Sequence, residues 1–214
     1  MIEPVLLRDP LLAPAPVLMI PDAFDDALCS ALIADYDVNG GLTSGVMITR
    51  NGRTVEHHDP DHKRRRDGLI TDPRLLEAIR DRIRRCIAPA IHRAYAFGVT
   101  RMERYLVGCY DAAEGGHFRA HRDNTTPGTA HRRFAVSIHL NDDFEGGELS
   151  FPEYPATIFR ATKGTAVVFS CSLLHQVAPV RRGRRLVFLP FLYDEAAAAI
   201  REANQRREAA ADPA

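Results

Sequence analysis

Apolar positions recur with two different periods along this chain, and the change falls near Gly98. Before it the spacing is mainly helical. Pro16 to Ile20 predicts a short strand. Asp22 is placed to cap a helix reaching about Tyr36, with Phe24, Leu28, Ala31 and Leu32 on one face. Asn39-Gly40-Gly41 stops it. Val46 to Glu56 predicts a hairpin turning at Asn51-Gly52. His57 to Asp67 is polar throughout and shows no apolar period. Asp72 then caps a second helix with Pro73 at its first position. Leu75, Ile79, Ile83, Cys86 and Ile87 follow at three- to four-residue spacing. Pro89 should kink or end that helix, with a further turn or two reaching Tyr95.

After Gly98 the segments are short, β-branched and alternating. Eight candidates stand out: Arg101–Tyr110, Gly116–His121, Arg133–Leu140, Glu148–Phe151, Thr157–Arg160, Ala166–Ser170, Leu174–Val180 and Arg185–Tyr193. Gly, Pro, Asn and Asp separate them, which predicts an antiparallel sandwich or jelly roll. Helices first and strands second give an α+β class. Glu195 to Ala211 reads as an Ala-rich polar helix. The expected organisation is one domain: a helical and hairpin buttress over 1–99, a β core over 100–194, and a polar helix and tail over 195–214.

Charge and composition narrow the classes. The 214 residues carry 28 basic and 28 acidic side chains, so no global cationic field favours nucleic acid. The apolar run Leu11 to Ile20 is broken by Pro14 and Pro16 and is too short for a membrane span. Neither a signal peptide nor an anchor is expected. Cys29, Cys86, Cys109 and Cys171 form no Cys-x-x-Cys, which fits free thiols and a cytoplasmic protein.

Two His-x-Asp pairs occur, His57/Asp59 and His121/Asp123. Nine histidines and 17 aspartates make such pairs common by chance, so context decides. The first lies in a polar loop. The second closes a strand candidate, where residues i and i+2 share a face and can converge on one ion. His175, at the start of a later strand, offers a third ligand. Two histidines and one carboxylate leave positions open, an arrangement that suits non-haem Fe(II), a chelating co-substrate and O2. Arg185 lies ten residues further on, past Gly183. A guanidinium gives a planar, permanently charged partner for the far carboxylate of a dicarboxylate, and Arg184 is the neighbouring alternative.

The stretch from about Arg101 to Tyr193 resembles the Fe(II)/2-oxoglutarate oxygenases, most closely their prolyl 4-hydroxylase-like branch. The segments that carry the likeness run from Tyr110 to Asn124, from Ser137 to Pro152 and from Gly164 to Phe169, followed by His175 and Pro179-Val180 to Arg185. The resemblance implies a double-stranded β-helix, a jelly-roll variant. It implies that His121, Asp123 and His175 hold Fe(II) and that Arg185 takes the distal carboxylate of 2-oxoglutarate. Tyr110 stands where the branch often has a tyrosine contacting that co-substrate, and His139 where it often has a second one. Halogenating relatives replace the carboxylate at the position of Asp123 with a small residue, so its presence implies hydroxylation. Ascorbate is the expected reductant. The substrate is expected to be a small molecule or a peptide, with nucleic acid disfavoured, no membrane, and a homodimer left open. The alternative is a cupin-like divalent-metal binding protein or isomerase without 2-oxoglutarate chemistry.

Several other residues have two readings. Alternation places His117 on the face of His121, as a pocket or rim group. Lys63 to Arg66 reads as a solvated loop, or as a lid in which Arg64 or Arg66 meets an acidic group, with nucleic acid least favoured. His131-Arg132-Arg133 either lines the substrate mouth or is an exposed loop. Gly146-Gly147 reads as a bulge, and Ser170 and Cys171 as core packing.

Overall fold

A computed structural model of the chain describes residues 13–154, 159 and 161–210. The N-terminal part contains β1 (Leu18–Ile20), α1 (Asp26–Asn39), β2 (Leu42–Thr43), the hairpin β3 (Val46–Arg50) and β4 (Arg53–His57), β5 (Lys63–Arg64), β6 (Arg66–Leu69), α2 (Pro73–Arg82) and α3 (Ala88–Tyr95). Next come β7 (Arg101–Glu103), β8 (Leu106–Asp111), β9 (His117–His121), β10 (Phe134–His139), β11 (Glu145–Gly146), β12 (Leu149–Ser150) and β13 (Ala166–Ser170). The chain continues through β14 (His175–Val177), β15 (Val180–Arg182), β16 (Arg184–Phe188), β17 (Phe191–Tyr193) and α4 (Glu195–Ala210).

A large antiparallel sheet runs in the order β1-β13-β10-β16-β8-β6-β2, with β17 on β10 and β7 on β17. A smaller one runs β12-β14-β9-β5. The fold is a double-stranded β-helix of α+β class. Alternation divides the large sheet's side chains between two cores. Val107, Cys109, Val136, Ile138, Val168, Leu186 and Phe188 pack under Phe24, Leu32, Ile79, Ile87 and Ile91 of the helical layer. Tyr110, Ala135, Val167, Phe169 and Val187 turn the other way, toward Phe118, Leu149 and Val177 of the small sheet. The expected alternation does not hold for β8, β10 and β13, which are buried on both faces and so carry near-continuous apolar runs.

The helices follow their caps. The first helix starts later than expected: Asp25, not Asp22, is its N-cap, accepting from the Leu28 N–H at 2.9 Å. Asp22 instead takes a left-handed turn at φ 52. Asp72 caps α2 as expected. Pro89 has no N–H to complete the ladder, and the break is absorbed by one π turn over Ile83–Ile87, after which α3 continues to Tyr95. The hairpin turns at Asn51 (φ 52) and Gly52 (φ 75) as the sequence suggests.

Three strand expectations are subdivided. Arg101–Tyr110 breaks into β7 and β8 at Arg104, whose φ is 67. Leu174–Val180 breaks into β14 and β15, and Arg185–Tyr193 into β16 and β17 at Pro190. Of the expected strand Thr157–Arg160, Phe159 bridges Leu149, and the rest lies outside the described residues, as do Leu11, Leu12 and Ala211. The polar run His57–Asp67 contains two strands: β5 pairs with β9 and β6 with β8. All four cysteines are free thiols.

Candidate metal centre and co-substrate pocket

His121 ends β9, and His175 begins β14 directly opposite it in the antiparallel ladder. The backbone register alone therefore brings the two imidazoles together, with ring centroids 4.2 Å apart. Asp123 lies just beyond the strand, held where its N–H donates to the Cys171 carbonyl at 2.9 Å. One ligand-type atom from each of His121, Asp123 and His175 lies within 4.8 Å of the others, the single such cluster among the described residues.

Each imidazole is oriented by its own strand. His121 Nδ1 lies 2.8 Å from the Arg119 carbonyl and His175 Nδ1 2.9 Å from that of Leu173. A carbonyl can only accept, so both protons sit on Nδ1 and both Nε2 atoms turn toward Asp123, at 3.6 and 3.4 Å. Burial pushes the His175 imidazolium down to about 4, against the pull of Asp123. Burial alone would raise the Asp123 carboxyl, but His175, His121 and Arg132 outweigh it and hold it well below the usual range. The carboxylate and the two Nε2 atoms converge on one point, where a shared proton or a cation offsets their lone pairs. Such a set is relieved by a divalent cation, and two nitrogens with one oxygen suit Fe(II).

Arg185 projects from β16 into the space between the sheets, opposite Tyr110 of β8. It is 1% exposed. Its Nη2 donates to Ser137 Oγ at 3.4 Å, while Nε and Nη1 meet no acceptor. A buried guanidinium with two idle donors suits an anionic partner. Arg184 faces the other way, onto Asp37 of α1 at 3.0 Å. The Tyr110 hydroxyl accepts from Arg65 Nη1 at 3.3 Å. His139 is buried on the Ser137 face of β10 but does not line the cavity. Its Nδ1 has no partner, and burial with the Arg185 charge keeps it neutral.

His121, Asp123, His175, Tyr110, Ser137 and Arg185 share a cavity of about 590 Å³. The other sequence candidates are distributed differently. His57 and Asp59 join no metal-type cluster; Asp59 closes a turn, accepting from the Asp61 N–H at 3.0 Å. The placement of His117 on the His121 face is overturned. Phe118 pairs with Val177 and His121 with His175, so β9 carries one residue more than β14 over that interval. This bulge puts Phe118 and His121 both into the cavity, stacked at 3.5 Å between centroids, and His117 outside it, on the Gly115 and Asp61 carbonyls.

The basic run is also corrected. Arg64 and Arg66 face outward toward Asp61 and Glu114, whereas Lys63 and Arg65 are buried and line the cavity with Asp67. All five positions from Lys63 to Asp67 are charged, so no hydrophobic period marks the inward face. Arg132 does reach the cavity, bonded to Glu103 at 2.7 Å. His131 is buried on the same carboxylate. Cys171 is buried as expected.

Architecture and pocket define a double-stranded β-helix protein with a cavity between its sheets. Residues 105–193 match the model of the 2OG-Fe(II) oxygenase superfamily. The chain is similar to that superfamily over this stretch, which holds His121, Asp123, His175 and Arg185. A PKHD-type hydroxylase of Azoarcus sp. (strain BH72) is 30% identical over 157 residues, 68% of this chain and 66% of that protein, just under two thirds of its length. One from Nitrosomonas europaea is 28% identical over 184 residues, 79% of this chain and 71% of that one. Among solved structures, a Trichoplax adhaerens prolyl hydroxylase in complex with a hypoxia inducible factor peptide fragment has a TM-score of 0.65 at 19% identity, covering 86% of each chain. A Pseudomonas putida prolyl-4-hydroxylase has a TM-score of 0.61 at 19% identity, covering 85% of this chain and 94% of that one. At such identities the structural likeness concerns the fold.

Proposed function

We propose that the protein is an Fe(II)- and 2-oxoglutarate-dependent dioxygenase that hydroxylates an unactivated C–H bond of a small-molecule or peptidyl substrate. The observation that carries this reading is the buried Arg185, with two unsatisfied donors, in one cavity with the His121, Asp123 and His175 cluster. His121, Asp123 and His175 hold the iron. Bound iron supplies the redox chemistry: one oxygen atom of O2 enters the C–H bond as hydroxyl and the other enters succinate, as 2-oxoglutarate loses CO2.

The chain's own residues do the positioning. Arg185 receives the distal carboxylate in a dry pocket, where a charge-assisted pair is strong. The Tyr110 hydroxyl, already accepting from Arg65, keeps its proton to donate to the same co-substrate. His139 stays neutral behind Arg185 and adds no competing charge. Asp123 occupies the position where a small residue would admit halide, so hydroxylation is the outcome. Ascorbate serves as the reductant that keeps the iron ferrous.

Anaerobic addition of Fe(II) and 2-oxoglutarate should give a weak visible charge-transfer band. Alanine at His121, Asp123 or His175 should abolish both the band and succinate release, and Asp59→Ala should preserve them. Tight zinc binding indifferent to 2-oxoglutarate would instead favour a cupin-like metal-binding protein or isomerase.

A further inference from the structure

The cavity wall carries more positive charge than its carboxylates balance. Lys63, Arg65, Arg104, Arg132 and Arg185 line it, apart from Arg122, which pairs with Glu153. Asp67 takes both Arg65, at 2.6 and 2.8 Å, and Arg104, at 2.9 Å. Glu103 takes Arg132. Arg185 is assigned to 2-oxoglutarate in the reading above. Lys63 is left over.

Lys63 is 6% exposed, and its Nζ donates to the Gly45 carbonyl at 2.7 Å. Among the described residues no carboxylate forms an ion pair with it, so two of its three N–H donors lack an acceptor. Glu56, also on the cavity wall, accepts from the Gly45 N–H instead. The ammonium lies 5.1 Å from the centre of the Phe118 ring, and that ring stacks on His121. It therefore stands one aromatic ring from the candidate metal ligands. It reaches in from the small sheet, whereas Arg185 reaches in from the large one.

We propose that Lys63 anchors a carboxylate of the substrate, so that the substrate is a small carboxylic acid and not a neutral segment of polypeptide. Two idle N–H donors match the two oxygens of one carboxylate. Asp67 and Glu56 act on the ammonium from beyond ion-pair distance and offset its burial only in part, and a neutral peptide segment offers carbonyl oxygens but adds no charge. Burial and the Arg65 charge push the Lys63 ammonium down to about 6, the condition that a bound anion reverses. The cavity has the size of a small-ligand site. This inference rests on the oxygenase reading and deepens it.

The test uses the full chain loaded with Mn(II) and N-oxalylglycine, a non-reactive 2-oxoglutarate analogue, so that the triad and Arg185 are occupied. Calorimetric titrations then compare free L-amino acids and aliphatic carboxylic acids with their primary amides, and with a blocked prolyl tripeptide. At least one acid should bind saturably, with its amide about tenfold weaker or worse. Lys63→Met should reduce the acid to the level of its amide, and Lys63→Arg should retain part of the difference. N-oxalylglycine affinity should not change in either variant. Lys63→Met removes a buried charge and leaves no carboxylate unpaired, so it should melt no lower than the wild type; if it fails to fold, the acid–amide comparison on the wild type decides. The proposal is overturned if acid and amide bind alike, if the tripeptide binds and no acid does, if no probe binds, or if Lys63→Met binds the acid normally. In each of these cases retained N-oxalylglycine binding and the charge-transfer band would leave the oxygenase reading standing.

Discussion

Arg184 and Arg185 are adjacent and chemically identical, yet strand alternation sends one to the surface and one to the cavity. Arg184 pairs with Asp37, while Arg185 keeps idle donors beside Tyr110 and Ser137. Hydrogen bonds to charged groups contribute roughly 1.5–3 kcal/mol each. Arg185→Gln should therefore weaken 2-oxoglutarate by about tenfold or more, with iron affinity little changed. Arg184→Gln should leave co-substrate affinity near the wild-type value. Titrating 2-oxoglutarate against both variants separates them, and a loss confined to Arg184→Gln would move the anchor by one residue. The same alternation hid Lys63 and Arg65. In a run where every position is charged, only the pairing of β5 with β9 and β6 with β8 shows which side chains face inward.

At the scale of the element, irregularities of the strands do as much as their regular parts. The bulge in β9 breaks the two-residue period between Phe118 and His121, so counting by twos from His121 leads to His117 and misses the ring that stacks on the imidazole. The Gly146-Gly147 bulge was readable from the glycines, but its purpose was not. Gly147 sits at φ 66, and a Cβ there would lie 2.7 Å from Arg185 Cδ. Gly147→Ala should thus displace the guanidinium as well as strain the backbone. About 1–3 kcal/mol of stability should be lost, together with part of the 2-oxoglutarate affinity. Gly52→Ala is the control, because its φ is 75 and a Cβ there meets nothing within 4 Å. It should lower the melting temperature and leave co-substrate affinity intact. If Gly147→Ala behaves as Gly52→Ala does, the glycine serves the turn alone.

For the molecule as a whole, the helical layer and the two sheets hold the site without help from a ligand. His121 and His175 already face each other across a hydrogen-bonded ladder, and two apolar cores flank the large sheet. Metal removal should therefore leave a cooperatively folded protein. Chelator-treated protein should keep its far-ultraviolet circular dichroism, and saturating metal with 2-oxoglutarate should raise its stability by about 2.7 kcal/mol at a hundredfold excess over Kd. Collapse of the spectrum on chelation would show that the metal is instead part of the folding energy.

Local chemistry was enough for part of this. The caps Asp72 and Gly40, the Asn51-Gly52 turn and the change from helical spacing to short strand-forming segments each express an interaction among residues close in sequence. The His-x-Asp…His…Arg spacing likewise survives in one dimension, because its members sit at strand ends whose order is the order of the chain. Tertiary structure decided what depends on register. Which of two adjacent arginines enters the cavity, which face of a wholly charged strand is buried, and how a bulge re-aims a ring are set by pairing between distant strands. That pairing is chosen by the burial of the whole sheet and not by any single segment.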